Sequence, residues 1–432
     1  MDAKKERSLS RIREESALFE PVAQLLEVQP GEMGHLQLPI IKSILEQHRK
    51  TIECVENDLP FLASQFTNPV EILTAMDVHW YFHVQQLFSA SGQGGAPHLA
   101  EDLDGADQLQ VPKDCCTLIR LALYLQIAGL LPLPTAYLAL TEPCDTIAGW
   151  HAAFMHHPDW RDLPCFAPDS PYRNDDRAIE YYANQMRDMV EFITKHMGKT
   201  LDMKRLKEVV EETNRGYQLW MEYNEIRRAI PTPHSYVLPM SMFFQINTLN
   251  AGHPQKTPWY QDMVADAERR VRENKPEVPE QKIRVFWYDI QPFYFGEIVS
   301  WLEQEWKAVI AMDMVSYCPY DLVDTSSEDS IFRGLAKRAF QDGPMVHQAR
   351  GLADNVVHDI TRIVKDYSID CVIFPGHMGH KDMAASASLM REVCRDLNVP
   401  FLYIGLDVAD PRYTTVEAIK DRISQFFTAM GL

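Results

Sequence analysis

The sequence predicts an α/β protein with two parallel-sheet domains, and three observations support this fold class. Short apolar runs in the last third of the chain are separated by segments with helical periodicity. A further apolar run, Ala136–Leu140, is typical of a short buried strand and ends just before Cys144. The chain has 432 residues, 46% of them hydrophobic, and this length favours two or three domains over one.

The N-terminal helical segment is predicted to span residues 1–68. Its clearest helix contains Leu36–Leu45, where apolar residues recur near helical spacing. The first residues are charged and no apolar core follows them, so we predict no secretory signal. The most apolar stretch, Leu121–Leu140, is interrupted by a glycine and two prolines, which favours a helix, a turn and a strand over a membrane span. We therefore expect a cytoplasmic protein.

The first α/β domain is predicted over residues 69–175. It contains the strand that ends before Cys144 and a further inner strand within Leu163–Arg173. Residues 176–280 are predicted to be a helical connector, because they form long polar helical segments with a break at Gly198.

The C-terminal α/β domain, residues 281–432, has the clearest pattern. Four apolar runs are separated by helical segments: Ile283–Tyr288, Ala308–Met312, Cys371–Pro375 and Pro400–Gly405. This βαβ pattern predicts a Rossmann-like or flavodoxin-like parallel sheet with helices on both faces, and we expect the first domain to be of the same type. Open sheets of this kind carry their chemistry at the carboxyl ends of the strands.

Charge and motifs exclude several classes of function. The formal charge is -19, from 61 acidic and 42 basic side chains, so nucleic acid and anionic membranes are poor partners for this surface. The sequence has no Gly-x-x-x-x-Gly-Lys-Ser/Thr loop, and no Gly-x-Gly-x-x-Gly follows a predicted strand. We therefore predict that this chain itself neither cleaves ATP nor binds a dinucleotide through that fingerprint.

The eight cysteines are expected to be reduced thiols, because the chain shows neither a signal peptide nor a regular disulfide spacing. Five of them are expected to be buried structural residues: Cys54, Cys165, Cys318, Cys371 and Cys394. Cys116 and Cys144 differ, because each adjoins an apolar segment that is predicted to be buried. Thiolates that converge from separate loops at one sheet edge can hold an iron–sulfur cluster or another soft metal.

Four sequence features occur together in a recognisable order. They are Cys116 followed by Thr-Leu-Ile-Arg, Cys144 after a strand, the run Phe374–Lys381 and the run Asp407–Tyr413. Through their order and spacing, the chain resembles the family of 2-hydroxyacyl-CoA dehydratases and ATP-dependent benzoyl-CoA reductases. The resemblance covers nearly the whole chain from about Pro69 onward.

The resemblance implies that two similar α/β domains hold one [4Fe-4S] cluster between them through three cysteines. The first two ligand positions fall on Cys116 and Cys144, whereas the third, a cysteine in the family, falls on His380. Imidazole can ligate cluster iron and generally raises the cluster potential, so His380 is the expected third metal ligand. Three alternatives stay open: Cys115 in place of Cys116, a cluster with two protein thiolates plus substrate or water, and loss of the cluster.

The resemblance also implies the reaction and the partners. One electron placed on a thioester carbonyl gives a ketyl radical, which expels a neighbouring hydroxyl group and acidifies the β-hydrogen. The implied partners are a homologous second subunit in a heterodimer, a separate ATP-hydrolysing iron–sulfur activator protein, and an acyl-CoA or aroyl-CoA substrate.

Three other functions remain open at this point: a subunit of a benzoyl-CoA reductase, a cluster-poor scaffold that binds acyl-CoA, and an ordinary zinc hydrolase. No catalytic base can be assigned, since no carboxylate or histidine has a sufficiently defined position. His377 is expected to be a solvated or helix-capping loop residue, and Asp145 is expected to cap the helix after Cys144. Arg412, beside Asp410 and Pro411, is expected to stabilise a turn.

Overall fold

Two four-stranded parallel sheets form the framework of the protein, which confirms the predicted α/β fold. The computed structural model describes residues 3–64, 68–82, 98–142, 144–237, 251–292, 294–317, 321–343, 346–349 and 353–431. Cys318 lies outside these residues. None of the helices described is both long enough and apolar enough to cross a membrane.

The chain begins with two long helices that pack against each other, α1 (Ala3–Val28) and α2 (Gly34–Glu56). The buried face of α2 includes Leu36, Ile40 and Ile44, which recur every four residues as one side of an amphipathic helix requires. The pair is tied to the helical connector, because the indole N–H of Trp259 donates to the backbone oxygen of Leu36 at 2.9 Å.

The first sheet has the strand order β2-β1-β3-β4. Its strands are β1 (Leu62–Ser64), β2 (Trp80–Phe82), β3 (Ala136–Leu138) and β4 (Cys165–Phe166). The accompanying helices are α3 (Val70–Ala75), α4 (Leu99–Gln108), α5 (Thr117–Ile127) and α6 (Asp145–Phe154). The sheet therefore begins at Leu62, before the predicted boundary at residue 69, because a strand of three residues shows no periodicity to recognise.

The connector contains three long helices, α7 (Asp176–Met197), α8 (Met203–Ile226) and α9 (Lys256–Glu273). The predicted break between α7 and α8 is confirmed. Gly198 ends α7 with a φ of 66°, and the side chain of Asp202 caps α8 by accepting from the backbone N–H of Lys204. Glycine accommodates this left-handed conformation without steric cost, and aspartate satisfies an exposed helix N–H.

The second sheet has the order β6-β5-β7-β8, with β5 (Ile283–Trp287), β6 (Ala308–Asp313), β7 (Cys371–His377) and β8 (Phe401–Leu406). Its longer helices are α10 (Phe295–Glu305), α11 (Glu328–Lys337), α13 (Ala353–Asp366), α15 (Ala387–Asp396) and α16 (Val416–Ala429). Two short helices, α12 (Val346–Ala349) and α14 (Lys381–Ala385), and a π-helical turn, Arg338–Asp342, complete this domain. All four predicted strands are confirmed. The two central strands are buried along their whole length, as expected for strands covered on both faces.

Both sheets place their first strand between their second and third strands. Ligands of open α/β sheets bind where the strand order reverses, outside the carboxyl ends of those central strands. In this protein the reversal lies between β1 and β3 in one sheet and between β5 and β7 in the other. The loop that precedes α5 and the loop that follows β7 contact each other across the two domains, where Gly379 lies against Cys116. A single crevice therefore receives loops from both sheets.

Candidate functional site

Cys116 is the residue immediately before α5, and it is buried. Its backbone oxygen accepts the N–H groups of Ile119 and Arg120, which start the helix, while its own side chain makes no capping hydrogen bond. The sulfur thus remains available beside the positive end of a helix dipole. The thiolate is the form of cysteine that binds metals.

Cys144 has the equivalent position before α6. Burial raises the pKa of its thiol to about 11, and the electrostatic effect of the Cys116 side chain acts in the same direction. A hydrogen bond from the backbone N–H of Ile147 and the nearby charge of His380 oppose this shift. Without a cation the thiol is therefore protonated at neutral pH, whereas a bound metal would displace the proton.

His380 lies between β7 and α14, and its two ring nitrogens have different partners. Nε2 is 4.0 Å from Sγ of Cys116, and Nδ1 is 3.2 Å from Oδ1 of Asp289. Burial lowers the pKa of this imidazole, but the Asp289 carboxylate and the Cys116 sulfur together raise it by more. The net pKa therefore lies well above the ordinary value. The structure therefore joins a buried sulfur, a partly buried imidazole and a buried carboxylate in one row.

Gly379 allows the two loops to approach so closely. A Cβ atom at this position would lie 2.3 Å from Cα and 2.4 Å from the backbone nitrogen of Cys116. These are backbone atoms that cannot rotate away, so a side chain at position 379 would push the β7–α14 loop from the start of α5. Glycine here is required by the close approach of two backbones.

Asp289 follows β5 and is fully buried. Its Oδ1 accepts the backbone N–H of Ile290 at 2.7 Å, and its Oδ2 has no hydrogen-bond partner among the described residues. Its φ of 131° is unusual for a residue with a side chain. Sequence reasoning missed Asp289, although an acidic residue directly after a buried strand is the same type of signal that identified Cys144.

The expectation for His377 is wrong, because this residue is neither solvated nor a helix cap. It is the last residue of β7, which continues two residues beyond the predicted strand end, and it is buried. Its Nε2 lies 2.6 Å from the backbone oxygen of Ile290 and donates to it. Burial lowers the pKa of His377 to about 4, so the ring is neutral.

His377, His380 and Asp289 form a group with possible metal-binding chemistry of its own. One ligand atom from each of the three lies within 4.8 Å of the others. Two imidazoles and one carboxylate are also the donor types of mononuclear sites for divalent metals. The site thus offers soft sulfur donors on one side of His380 and nitrogen and oxygen donors on the other.

The expectation for Asp145 is also wrong. Cys144 occupies the N-cap position of α6, so Asp145 is the first residue inside the helix and its side chain is exposed. Its carboxylate lies 4.0 Å from Nζ of Lys381, which is also 3.2 Å from the carboxylate of Asp114. These ion pairs link loops of the two domains at the rim of the crevice.

Cys115 has a different environment from its neighbour. Burial raises the pKa of its thiol, and the charges that act on it are those of the rim residues Asp114, Lys381 and Asp145. The structure brings Cys116, and not Cys115, into contact with His380.

A second feature that sequence reasoning missed is Glu142, which is buried two residues before Cys144. The hydroxyl groups of Tyr182 and Thr141 donate to its carboxylate at 2.7 Å and 3.1 Å, and Ser170 donates to it as well. These bonds anchor the loop that carries Cys144 to the connector helix α7. The role of Glu142 is therefore to position this loop.

A large groove lies away from these residues. It has a volume of about 1740 Å³ and is lined mainly by α1, α2 and the start of α9. Most of its basic side chains have acidic partners, as in the pairing of Arg49 with Glu46 and Glu53. We therefore do not assign a substrate to this groove.

Two comparisons with known proteins connect the site to chemistry. The family model described as "2-hydroxyglutaryl-CoA dehydratase, D-component" matches residues 65–430, a range that includes both crevice cysteines, Asp289 and His380. A segment of 167 residues is 25% identical to lactoyl-CoA dehydratase subunit alpha of Anaerotignum propionicum. This second match covers 33% of the chain and 39% of that relative's length.

Proposed function

Because the chain belongs to the family of 2-hydroxyglutaryl-CoA dehydratase D-components, we propose that it is the iron–sulfur subunit of a 2-hydroxyacyl-CoA dehydratase. The main support is the 4.0 Å contact between Sγ of Cys116 and Nε2 of His380 at the crevice between the sheets. Cys116 and His380 both affect the pKa of Cys144, which supports the Cys144 sulfur as a third donor near them.

Cys116, Cys144 and His380 are the proposed ligands of a [4Fe-4S] cluster. The donor set fits this group, because two sulfurs and one imidazole are established iron ligands in protein clusters. When bound, the cluster would supply a one-electron carrier and, at an iron with an open position, a Lewis acid. The protein contributes the buried crevice, the two helix N-termini beside the thiolates and the fixed orientation of His380.

The proposed substrate is a 2-hydroxyacyl-CoA thioester, whose carbonyl would accept the electron to form a ketyl radical. The proposed source of electrons is a separate ATP-hydrolysing iron–sulfur activator, and a homologous second subunit would complete a heterodimer. Support for a second subunit comes from the relative's name, which designates a subunit alpha.

Two other functions remain as candidates. Benzoyl-CoA reduction would use the same cluster on an aroyl-CoA. A cluster-poor scaffold that binds acyl-CoA is favoured by His380, because this residue replaces the third cysteine of the resembling proteins.

Iron and sulfide analysis after anaerobic purification tests the proposal. We expect near-stoichiometric iron and sulfide in the wild-type protein and in Cys115→Ala, and loss of most of both in Cys116→Ala and Cys144→Ala. Cys115→Ala is the matched control, since it removes the adjacent thiol. A folded wild-type protein without iron would favour the scaffold, and zinc without sulfide would favour a mononuclear site.

Turnover separates the two enzymatic candidates. With the activator, the second subunit and ATP, the complex should dehydrate a 2-hydroxyacyl-CoA and leave benzoyl-CoA unchanged. The reverse preference would assign the chain to ring reduction.

A further inference from the structure

We infer that Asp289 is a positioning residue for His380: its carboxylate accepts Nδ1–H of the imidazole and thereby directs the Nε2 lone pair toward the cluster position. This inference rests on the proposed function and concerns a residue that the cysteine pattern does not include. Its basis is the row in which Asp289 Oδ1 lies 3.2 Å from Nδ1, and Nε2 lies 4.0 Å from Sγ of Cys116.

The carboxylate of Asp289 is itself held rigidly. It follows β5, a central strand of the second sheet, and its Oδ1 is fixed by the backbone N–H of Ile290 at 2.7 Å. The residue retains a φ of 131° and a buried Oδ2 without a hydrogen-bond partner among the residues described. Both features cost free energy, and such costs are typically retained where a side chain has a functional task.

A neutral imidazole has one N–H and one lone pair, and a hydrogen-bond partner decides which nitrogen has which. In the neutral form that binds a metal, an acceptor at Nδ1 leaves the lone pair on Nε2, the nitrogen that lies next to Cys116. Carboxylate partners of this kind orient metal-bound histidines and increase their basicity. In this chain the carboxylate would also return part of the negative charge that is lost when imidazole replaces a thiolate.

His377 does not provide this function for His380. Its Nε2 donates to the backbone oxygen of Ile290, so this ring is held by the main chain that follows Asp289. The rings of His377 and His380 meet edge to face, with centroids 5.0 Å apart. His377 thus packs beside the ring of His380, whereas Asp289 contacts its Nδ1 atom.

The variant Asp289→Asn tests this inference most directly. Asparagine has nearly the same shape, tolerates positive φ and can still accept from Nδ1–H, but it lacks the charge. We expect wild-type amounts of iron and sulfide in the anaerobically purified holoprotein, together with a higher cluster midpoint potential and altered EPR g values. Asp289→Ala should lower iron affinity by about 10–100-fold, the usual effect of losing such a partner.

The matched control repeats Asp289→Asn in a His380→Cys background, where no imidazole remains to be positioned. We expect the shift in potential to disappear there. An equal shift in both backgrounds would show a general effect of charge and would overturn the inference. Loss of iron in Asp289→Asn as complete as in His380→Ala would overturn it too, because Asp289 would then act as a ligand or as a structural residue.

Pulsed EPR on the wild-type holoprotein gives a second test, which does not depend on whether a variant folds. Histidine labelled with ¹⁵N at Nε2 should give a strong hyperfine coupling to the reduced cluster in pulsed EPR, whereas label at Nδ1 should give a weak one. Strong coupling at Nδ1 would overturn this inference but not the proposed function. A folded wild-type protein without iron and sulfide would overturn the proposed function and this inference together.

Discussion

Oγ1 of Thr117 donates a buried hydrogen bond of 2.8 Å to Oδ2 of Asp407, which joins the two domains directly beside Cys116. The other carboxylate oxygen of Asp407 accepts the backbone N–H groups of Ala409 and Asp410. Asp407 thus shapes the turn after β8 and fixes the start of α5 at the same time. The position of the Cys116 loop depends on a residue of the other sheet.

Thr117→Val should weaken this junction, because it leaves Oδ2 of Asp407 buried without its donor. We expect a decrease in the free energy of unfolding of about 1–3 kcal/mol, measured by urea denaturation. Thr428→Val, at an exposed position of α16, is the control and should change stability by less than about 0.5 kcal/mol. Equal effects of the two variants would contradict the structural role of Thr117.

Gly379→Ala should separate Cys116 from His380, since the new Cβ would collide with backbone atoms of Cys116. We expect lower thermal stability and loss of most bound iron, measured by melting temperature and metal analysis. Gly149→Ala is the matched control, because a Cβ at this position in α6 meets nothing within 4 Å. That variant should keep its iron and gain up to about 1 kcal/mol from the higher helix propensity of alanine.

Lys256 gives a pH-dependent prediction. Burial lowers the pKa of its ammonium group to about 7 in the folded protein, and Nζ has no hydrogen-bond partner among the described residues. It lies 5.6 Å and 5.7 Å from the ring centroids of Tyr217 and Tyr260. The acidic side chain that opposes this shift most strongly, Glu71, is already paired with Arg338 at 2.8 Å.

The sign of the pH effect follows from the lowered pKa. Between about pH 7 and the ordinary lysine pKa of 10.5 the unfolded chain binds more protons than the folded one, so this group increases stability as pH rises through that window. Lys256→Met should remove this slope and stabilise the protein below pH 7 by about 1–4 kcal/mol. Urea denaturation at several pH values measures both effects, and an unchanged slope would contradict the prediction.

Removal of the proposed cluster should destabilise the protein, because a ligand that binds only the folded state raises its stability. We expect the anaerobic holoprotein to melt at a higher temperature than the iron-free protein. Cys144→Ala should abolish this difference, whereas Cys165→Ala should preserve it, since Cys165 lies in β4 beside His151 and outside the crevice. A preserved difference in Cys144→Ala would argue against Cys144 as a ligand.

Much of the fold follows from local pattern. The four strands of the second sheet are short, mostly apolar runs separated by segments with helical periodicity, a pattern that the sequence shows directly. The break at Gly198 follows from the conformational freedom of glycine. The sequence pattern does not predict the strand Leu62–Ser64, because three residues show no periodicity and its partner strands are distant in sequence. His377 was assigned to a loop for a related reason, since β7 extends beyond its apolar run into polar residues.

By itself, the sequence determined the α/β class, the order of helices and strands in the second domain, and the residue types available for soft-metal chemistry at positions 116, 144 and 380. Only the tertiary structure decided that Cys116, and not Cys115, contacts His380, and that Asp289 lies on the other side of the imidazole. The physical reason is that secondary structure depends on interactions among near neighbours, whereas the site depends on contacts between loops about 264 residues apart. Those contacts form only when both domains are folded and packed together, and no local sequence pattern predicts them.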